Sequence, residues 1–156
     1  SQLEDKEEVV FDEFIENIKQ SMFVEIESSQ TVIVKQFHEK QKIFTVKSVL
    51  NSIIYNLLQN AIKYKKNWES PLILIEFSAL ETNYIIKISD NGIGIDLEKF
   101  KDRVFRLYSR FHRNADGKGI GLYLVKTQVE LLGGTISIES KVNVGTSFKI
   151  VIPINR

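Results

Sequence analysis

The stretch Lys47-Ser-Val-Leu-Asn-Ser-Ile-Ile-Tyr-Asn-Leu-Leu-Gln-Asn-Ala-Ile-Lys-Tyr-Lys-Lys66 is where fold and chemistry meet. At 100° per residue, Leu50, Ile54, Leu57, Leu58 and Ala61 fall on one arc, so residues 47–66 are predicted to form a helix with one buried face. Asn56, Asn60 and Lys63, spaced by four and three, make a separate stripe along the edge of that face. Amides at the edge of a core need partners. An asparagine oxygen is a hard, neutral ligand suited to Mg²⁺, which keeps several waters and shares nucleotide phosphates. A lysine one turn on can meet phosphate charge. The plainer alternative is a solvated helix edge, and the stripe alone does not decide between them.

Working outward, Val10, Phe14, Ile18, Met22 and Ile26 recur every four residues with Phe11, Ile15 and Phe23 alongside, which predicts one long helix over Val9–Ser29. Thr31–Phe37 and a short run around Ile43–Val46 read as strands, separated by the polar turn His38–Lys42. Beyond the breaker run Asn67–Pro71, Leu72–Ala79 and Tyr84–Ser89 read as an antiparallel hairpin. A third helix is expected from about Ile120 to Leu132, stopped by Gly133-Gly134, and Thr135–Ser140 and Thr146–Pro153 form a last hairpin. The class is α+β, an antiparallel or mixed sheet covered by helices.

Three glycine-bearing motifs join the asparagine stripe. Asp90-Asn-Gly92-Ile-Gly94-Ile95-Asp96 follows a strand; its glycines let backbone approach a flat ligand, and its carboxylate can accept a hydrogen bond from an exocyclic amine. Read alone it is equally a tight turn. Gly117-Lys118-Gly119-Ile120-Gly121-Leu122 opens a helix whose free N–H groups suit phosphate, without matching a P-loop or a dinucleotide fingerprint. Gly145-Thr146-Ser147-Phe148 starts a strand.

Composition narrows the chemistry. The 156 residues, 43% hydrophobic and 26% charged, suit one ordinary domain, and the lack of cysteine excludes disulfide frameworks, thiolate metal sites and a cysteine nucleophile. No apolar run is long enough to span a bilayer and the start SQLEDKEE has no signal-peptide character, so a cytoplasmic location is expected. A net charge of +1 argues against nucleic acid as a partner. The charge is nevertheless segregated. Lys99, Lys101, Arg103, Arg106, Arg110, Arg113 and Lys118 carry seven of the 21 basic groups, with Asp102 and Asp116 between them.

In order and spacing, the motifs resemble the catalytic and ATP-binding domain of sensor histidine kinases, in the superfamily shared with gyrase, the ninety-kilodalton heat-shock chaperones and MutL. Asn56–Tyr64 resembles the N box, Asp90–Asp96 and Gly117–Leu122 the first two glycine boxes, Phe105–Phe111 the F box, and Gly145–Phe148 the last glycine box. The resemblance implies a two-layer α/β sandwich with a mixed sheet of about five strands, three helices on one face and a flexible ATP lid. It implies that Asn60 binds Mg²⁺, that Asn56, Lys63 and Tyr64 lie near phosphates and ribose, and that Asp90 holds the adenine amine. Gly92, Gly94 and Ile95 would shape the base pocket, with Tyr108 and Leu122 beside the nucleotide. Gly117, Lys118, Gly119, Ile120 and Gly121 would face the phosphates, and Thr146 would support Asp90 and a bridging water. Arg110 matches the arginine that reaches the γ-phosphate, so Asn56, Lys63 and Arg110 are the expected catalytic set. Phe105, Tyr108 and Phe111 would dock the lid.

The same resemblance implies a reaction whose acceptor is elsewhere. His38 and His112 are the only histidines, and His38 lies in a predicted turn without the proline that follows an H box. The acceptor histidine is therefore expected on a separate dimerisation domain of the same full-length protein. Residues 1–8 would be the end of a preceding dimerisation helix or a linker, and 9–156 the catalytic domain. A response regulator would act downstream, with this piece monomeric and its parent a homodimer. Asn56 stands where gyrase-type relatives carry a water-activating glutamate, which favours phosphotransfer over hydrolysis. Two alternatives share the motifs: a serine kinase of the anti-sigma-factor type, and a nucleotide-gated interaction module without catalysis.

Overall fold

The computed structural model describes residues 5–106 and 121–154. β1 (Glu7–Val10) leads into α1 (Phe11–Ser21) and α2 (Phe23–Ser29), followed by β2 (Val32–Gln36), β3 (Lys42–Thr45) and α3 (Lys47–Lys63). β4 (Leu72–Ala79) and β5 (Asn83–Asp90) come next, then α4 (Leu97–Phe100) with a 3₁₀ turn at Lys101–Arg103, α5 (Gly121–Leu131), β6 (Thr135–Lys141) and β7 (Gly145–Pro153). Five strands form one mixed sheet in the order β2-β4-β5-β7-β6, with β2 parallel to β4 and the other pairs antiparallel. β1 and β3 make a separate two-stranded sheet. The expected α+β sandwich with a five-stranded mixed sheet is the architecture found.

Strand alternation makes one sheet face apolar. Opposed residues share a face, so β4, β5, β7 and β6 lay down the rows Phe77-Ile86-Ile150-Ile136 and Ile75-Ile88-Phe148-Ile138. On these rows sits α3, which buries Val49, Leu50, Ile53, Ile54, Leu57, Leu58 and Ala61, and beside it α5, which buries Val125 and Val129. The next row along is Ile73-Asp90-Thr146-Ser140. Within it the core face changes from apolar to polar at the end of β5, and that change positions the site.

The first predicted helix departs from its pattern at both ends. Glu7 and Glu8, expected in a preceding helical or linker segment, and Val9 and Val10, expected in the helix, pair antiparallel with β3 instead. The helix then breaks at Met22. There the Ser21 hydroxyl donates to the Ile18 carbonyl at 2.7 Å and the Met22 N–H is shared between the carbonyls of Ile18 and Lys19. A hydroxyl bonding back onto the preceding turn bends a helix. The break turns Phe23 outward to 62% exposure although the four-residue period places it with the buried residues, while Met22 itself is fully buried.

α3 stops three residues short of its predicted end. Tyr64 leaves helical geometry and its carbonyl accepts the Ile93 N–H at 2.9 Å, so the connection is captured by the glycine turn after β5. The small sheet is tied on by the Tyr84 hydroxyl, which accepts the Phe44 N–H at 3.1 Å.

Phe11 joins the layers. Its ring stacks on Phe77 of β4 at 4.3 Å and 19° and meets the edge of Phe37 at 4.9 Å. Because it is wholly buried, Phe11→Ala should cost about 3–5 kcal/mol of stability, measured by chemical denaturation, with the fold retained.

Candidate functional site

At the polar end of the sheet, between α3 and the strands, lies a small cavity lined by Asn60, Tyr64, Asp90, Gly94, Ile95, Leu122, Thr146 and Phe148. An apolar lining with a few convergent polar groups is the usual make-up of small-molecule sites. Seven of these eight residues were expected from sequence. They come from the asparagine helix, all three described glycine-bearing segments and two strands, widely separated along the chain.

Asp90 is the polar centre. Its Oδ1 accepts the Gly92 N–H at 2.8 Å and the Thr146 N–H at 3.3 Å. Burial raises its pKa from 3.8 to about 6, against the lowering effect of those two N–H donors and of the Lys66 ammonium. Desolvation thus outweighs three favourable contributions, and the carboxylate is held as a poorly hydrated acceptor.

Backbone approach at this point demands glycine. Gly94 has φ +73° and a Cβ there would run into the Lys141 carbonyl. At Gly145, with φ +147°, a Cβ would run into the carbonyl of Asp90 itself. The turn is further strapped by Asn91, whose Oδ1 accepts the Leu72 N–H at 2.8 Å and whose Nδ2 donates to the Ser70 carbonyl at 3.1 Å. The connection after α3 is thereby fixed to the Asp90 turn at both ends.

Other expected residues are placed around the cavity rather than in it. Asn56 donates from Nδ2 to the Ser52 carbonyl at 2.8 Å, and its Oδ1 faces Gly121 at the start of α5. Lys63 is exposed, its Nζ 5.5 Å from the Tyr64 ring centre. Gly92 supplies its N–H to Asp90 without lining the cavity. Tyr108, Arg110, Phe111, Gly117, Lys118, Gly119 and Ile120 lie outside the described residues, as does most of the expected lid. The described start of that lid is docked: Val104 is buried, and the Phe105 ring meets the Phe148 ring at 6.3 Å with Lys126 of α5 over its face.

Four contributors escaped residue-level reading. Phe148 lies in the last quoted motif, and its even spacing from Thr146 puts it on the same face. Ser140 is opposite Thr146, a register that the Lys141–Gly145 turn dictates. Asn91 and Lys66 gave no signal, because their roles depend on the connection folding back over the turn; the Lys66 side chain is only 11% exposed.

Residues 45–156 match the family of histidine kinase-, DNA gyrase B-, and HSP90-like ATPases. The chain belongs to this family. The sensor protein RprX of Bacteroides fragilis is 36% identical over 115 residues, which is 72% of this chain and 22% of that one. The sensor protein CiaH of Streptococcus pneumoniae is likewise 36% identical over 115 residues, covering 72% of this chain and 26% of its own. The chain thus spans about a quarter or less of these curated relatives. In fold, it is similar to the catalytic domain of the histidine kinase ThkA, with a TM-score of 0.80 at 23% identity over 95% of this chain and 97% of that domain. A mycobacterial sensor histidine kinase, MprB, gives 0.78 at 23% identity over 95% and 97%. Within the family match fall α3, the sheet from β4 onward and every residue lining the cavity.

The raised pKa of Asp90 predicts how stability depends on pH. Below about 3.8 the group is protonated folded or unfolded and contributes no difference; between 3.8 and about 6 the folded state holds the extra proton. Stability from this group therefore falls as pH rises through that window. Asp90→Asn removes the charge and should gain stability relative to the parent between pH 4 and pH 7, as measured by parallel denaturant titrations. A pH-independent difference would contradict the raised value.

Proposed function

We propose that this domain binds Mg²⁺-ATP and serves as the catalytic module of a sensor histidine kinase, passing the γ-phosphoryl group to a histidine on the dimerisation domain of its full-length protein. The observation that carries this reading is the convergence of Asn60 and Asp90 on one apolar slot. The Asp90 carboxylate suits the adenine amine; Ile95, Leu122 and Phe148 suit the faces of the base; the Asn60 amide on α3 suits a metal that keeps most of its waters.

The donor set fits magnesium. No cluster of three or more histidine, cysteine or acidic side chains exists among the described residues, so the site offers one neutral oxygen and leaves the remaining positions to phosphate and water. Mg²⁺ at Asn60 would offset phosphate charge. Tyr64 borders the slot, and Lys63, exposed at the end of α3, is free to swing toward phosphates. Arg110 and the glycines Gly117, Gly119 and Gly121 would complete the phosphate end, in keeping with the sequence pattern. Asn56, as an amide, holds no proton-accepting role; its Nδ2 is bonded to its own helix, which keeps Oδ1 turned toward the start of α5.

His38 does not suit the role of phosphoacceptor, and His112 lies outside the described residues. His38 sits in the turn between β2 and β3, where Nδ1 accepts the Lys40 N–H at 3.1 Å and its own N–H donates to Gln41. A response regulator is the downstream partner this reading requires. No helix among the described residues is long and apolar enough to cross a membrane. A cytoplasmic location for the domain is part of the same proposal.

By calorimetry, Asp90→Asn and Asn60→Asp should each reduce Mg²⁺-ATP affinity at least tenfold while the thermal transition persists, since each alters one proposed ligand contact. Unchanged affinity in both would sink the site assignment. Incubating the full-length parent with γ-labelled ATP should yield acid-labile phosphohistidine. Acid-stable phosphoserine on a partner protein would instead support the serine-kinase alternative.

A further inference from the structure

Three hydrogen-bonding groups converge on one hydroxyl beside the cavity. Ser140 of β6 stands opposite Thr146 of β7, which stands opposite Asp90 of β5. The Ser140 Oγ accepts the Ile95 N–H at 2.8 Å, lies 3.0 Å from the Gly145 carbonyl oxygen, and lies 2.7 Å from the Thr146 Oγ1.

A serine hydroxyl has one proton and two lone pairs. The Gly145 carbonyl can only accept, so it takes the Ser140 proton. The Ile95 N–H occupies one lone pair of Ser140, and the Thr146 hydroxyl donates to the other. This assignment satisfies all three contacts. Its reverse, with Ser140 donating to Thr146, leaves two oxygens facing each other at Gly145 with no proton between them. Thr146 therefore spends its single proton on Ser140, away from the cavity it lines, and its oxygen keeps its lone pairs for a ligand. Asp90, next in the row, takes its two described N–H bonds on Oδ1, which leaves Oδ2 as a second acceptor.

We propose that Ser140 is a positioning residue that fixes the Thr146 hydroxyl as an acceptor, so that the cavity wall presents two adjacent acceptors and selects bases bearing an exocyclic amine over bases bearing a carbonyl there. The proposal rests on the ATP reading above and deepens it. An amine has two protons to give, one for each acceptor. A carbonyl at the same position meets lone pairs with lone pairs and leaves the Thr146 oxygen and the Asp90 Oδ2 without a donor, which is the more costly failure.

Calorimetric titration with ATP and with inosine triphosphate, which differ by amine against carbonyl, reads this directly. The wild-type domain should favour ATP. In Ser140→Ala the Thr146 hydroxyl is free to turn and donate, so the preference should narrow by about fivefold, with ATP weakened and inosine triphosphate not. Ser140→Cys, close in size and a poor hydrogen-bonder, should narrow it in the same direction even if the alanine variant fails to fold; Ser140→Thr should preserve it. Thr146→Val should narrow it too, and adding Ser140→Ala to that variant should change the ratio no further. Equal weakening of both nucleotides in the Ser140 variants, as a loosened strand would produce, overturns the assignment, as does an unchanged ratio. A wild-type domain that binds no ATP overturns the nucleotide reading along with it.

Discussion

A carboxylate taken out of water at the end of a β-strand is the constraint on which this structure turns. Moving a carboxylate into a protein interior costs several kcal/mol, and charge-assisted hydrogen bonds return roughly 1.5–3 kcal/mol each. At Asp90 the balance stays on the side of desolvation, as its pKa of about 6 records, although two backbone N–H groups and the Lys66 ammonium oppose it. Those donors are in place because the turn after β5 folds back through Gly92 and because β7 runs alongside in register. The close approach of Gly145 to the Asp90 carbonyl and of Gly94 to the Lys141 carbonyl are consequences of the same convergence. The molecule retains an acceptor with little water around it, which a donor on a ligand can satisfy better than solvent does.

Much of this was readable in the chain, for identifiable reasons. The arc of α3 and the alternation in β4, β5 and β7 are strong periodic signals, and each yielded an element within a few residues of its expected bounds. The motif residues Asn60, Tyr64, Asp90, Gly94, Ile95, Leu122 and Thr146 then met at one cavity. The errors fall where a local bond overrode the period. The Ser21 hydroxyl broke the first helix at Met22 and turned Phe23 to solvent, and strand pairing with Ile43 and its neighbours took Val9 and Val10 out of that helix. Residues acting through hydrogen-bond geometry, such as Asn91 and Ser140, have no periodic signature, because a polar side chain in a strand or turn looks the same whether or not it is bonded.

Family membership and physical reading divide the work between them. The family match covers the chain from residue 45 onward and identifies the type of domain; every residue lining the cavity falls within that stretch. Before that matched stretch, β1, α1, α2, β2 and β3 add an edge strand to the sheet, a small second sheet, and Phe11, whose ring is sandwiched between Phe37 and Phe77. Of these, β1, β3 and α1 gather at the end of the sheet far from Asp90, around Phe77 and Tyr84, while β2 runs beside β4 as far as Ile73, the residue opposite Asp90.

The strand order also constrains the order of events in folding. β7 sits between β5 and β6: its pairing with β6 is local, through the turn between Lys141 and Gly145, whereas its pairing with β5 spans more than fifty residues from Asp90 to Thr146. Until β7 pairs with β5, Asp90 lacks the Thr146 N–H and Phe148 is missing from the cavity wall. Contacts spanning this much sequence form slowly because loop closure must precede any gain from pairing. The cavity is therefore among the last features to exist as the chain folds, since two of its walls come from strands far apart in sequence.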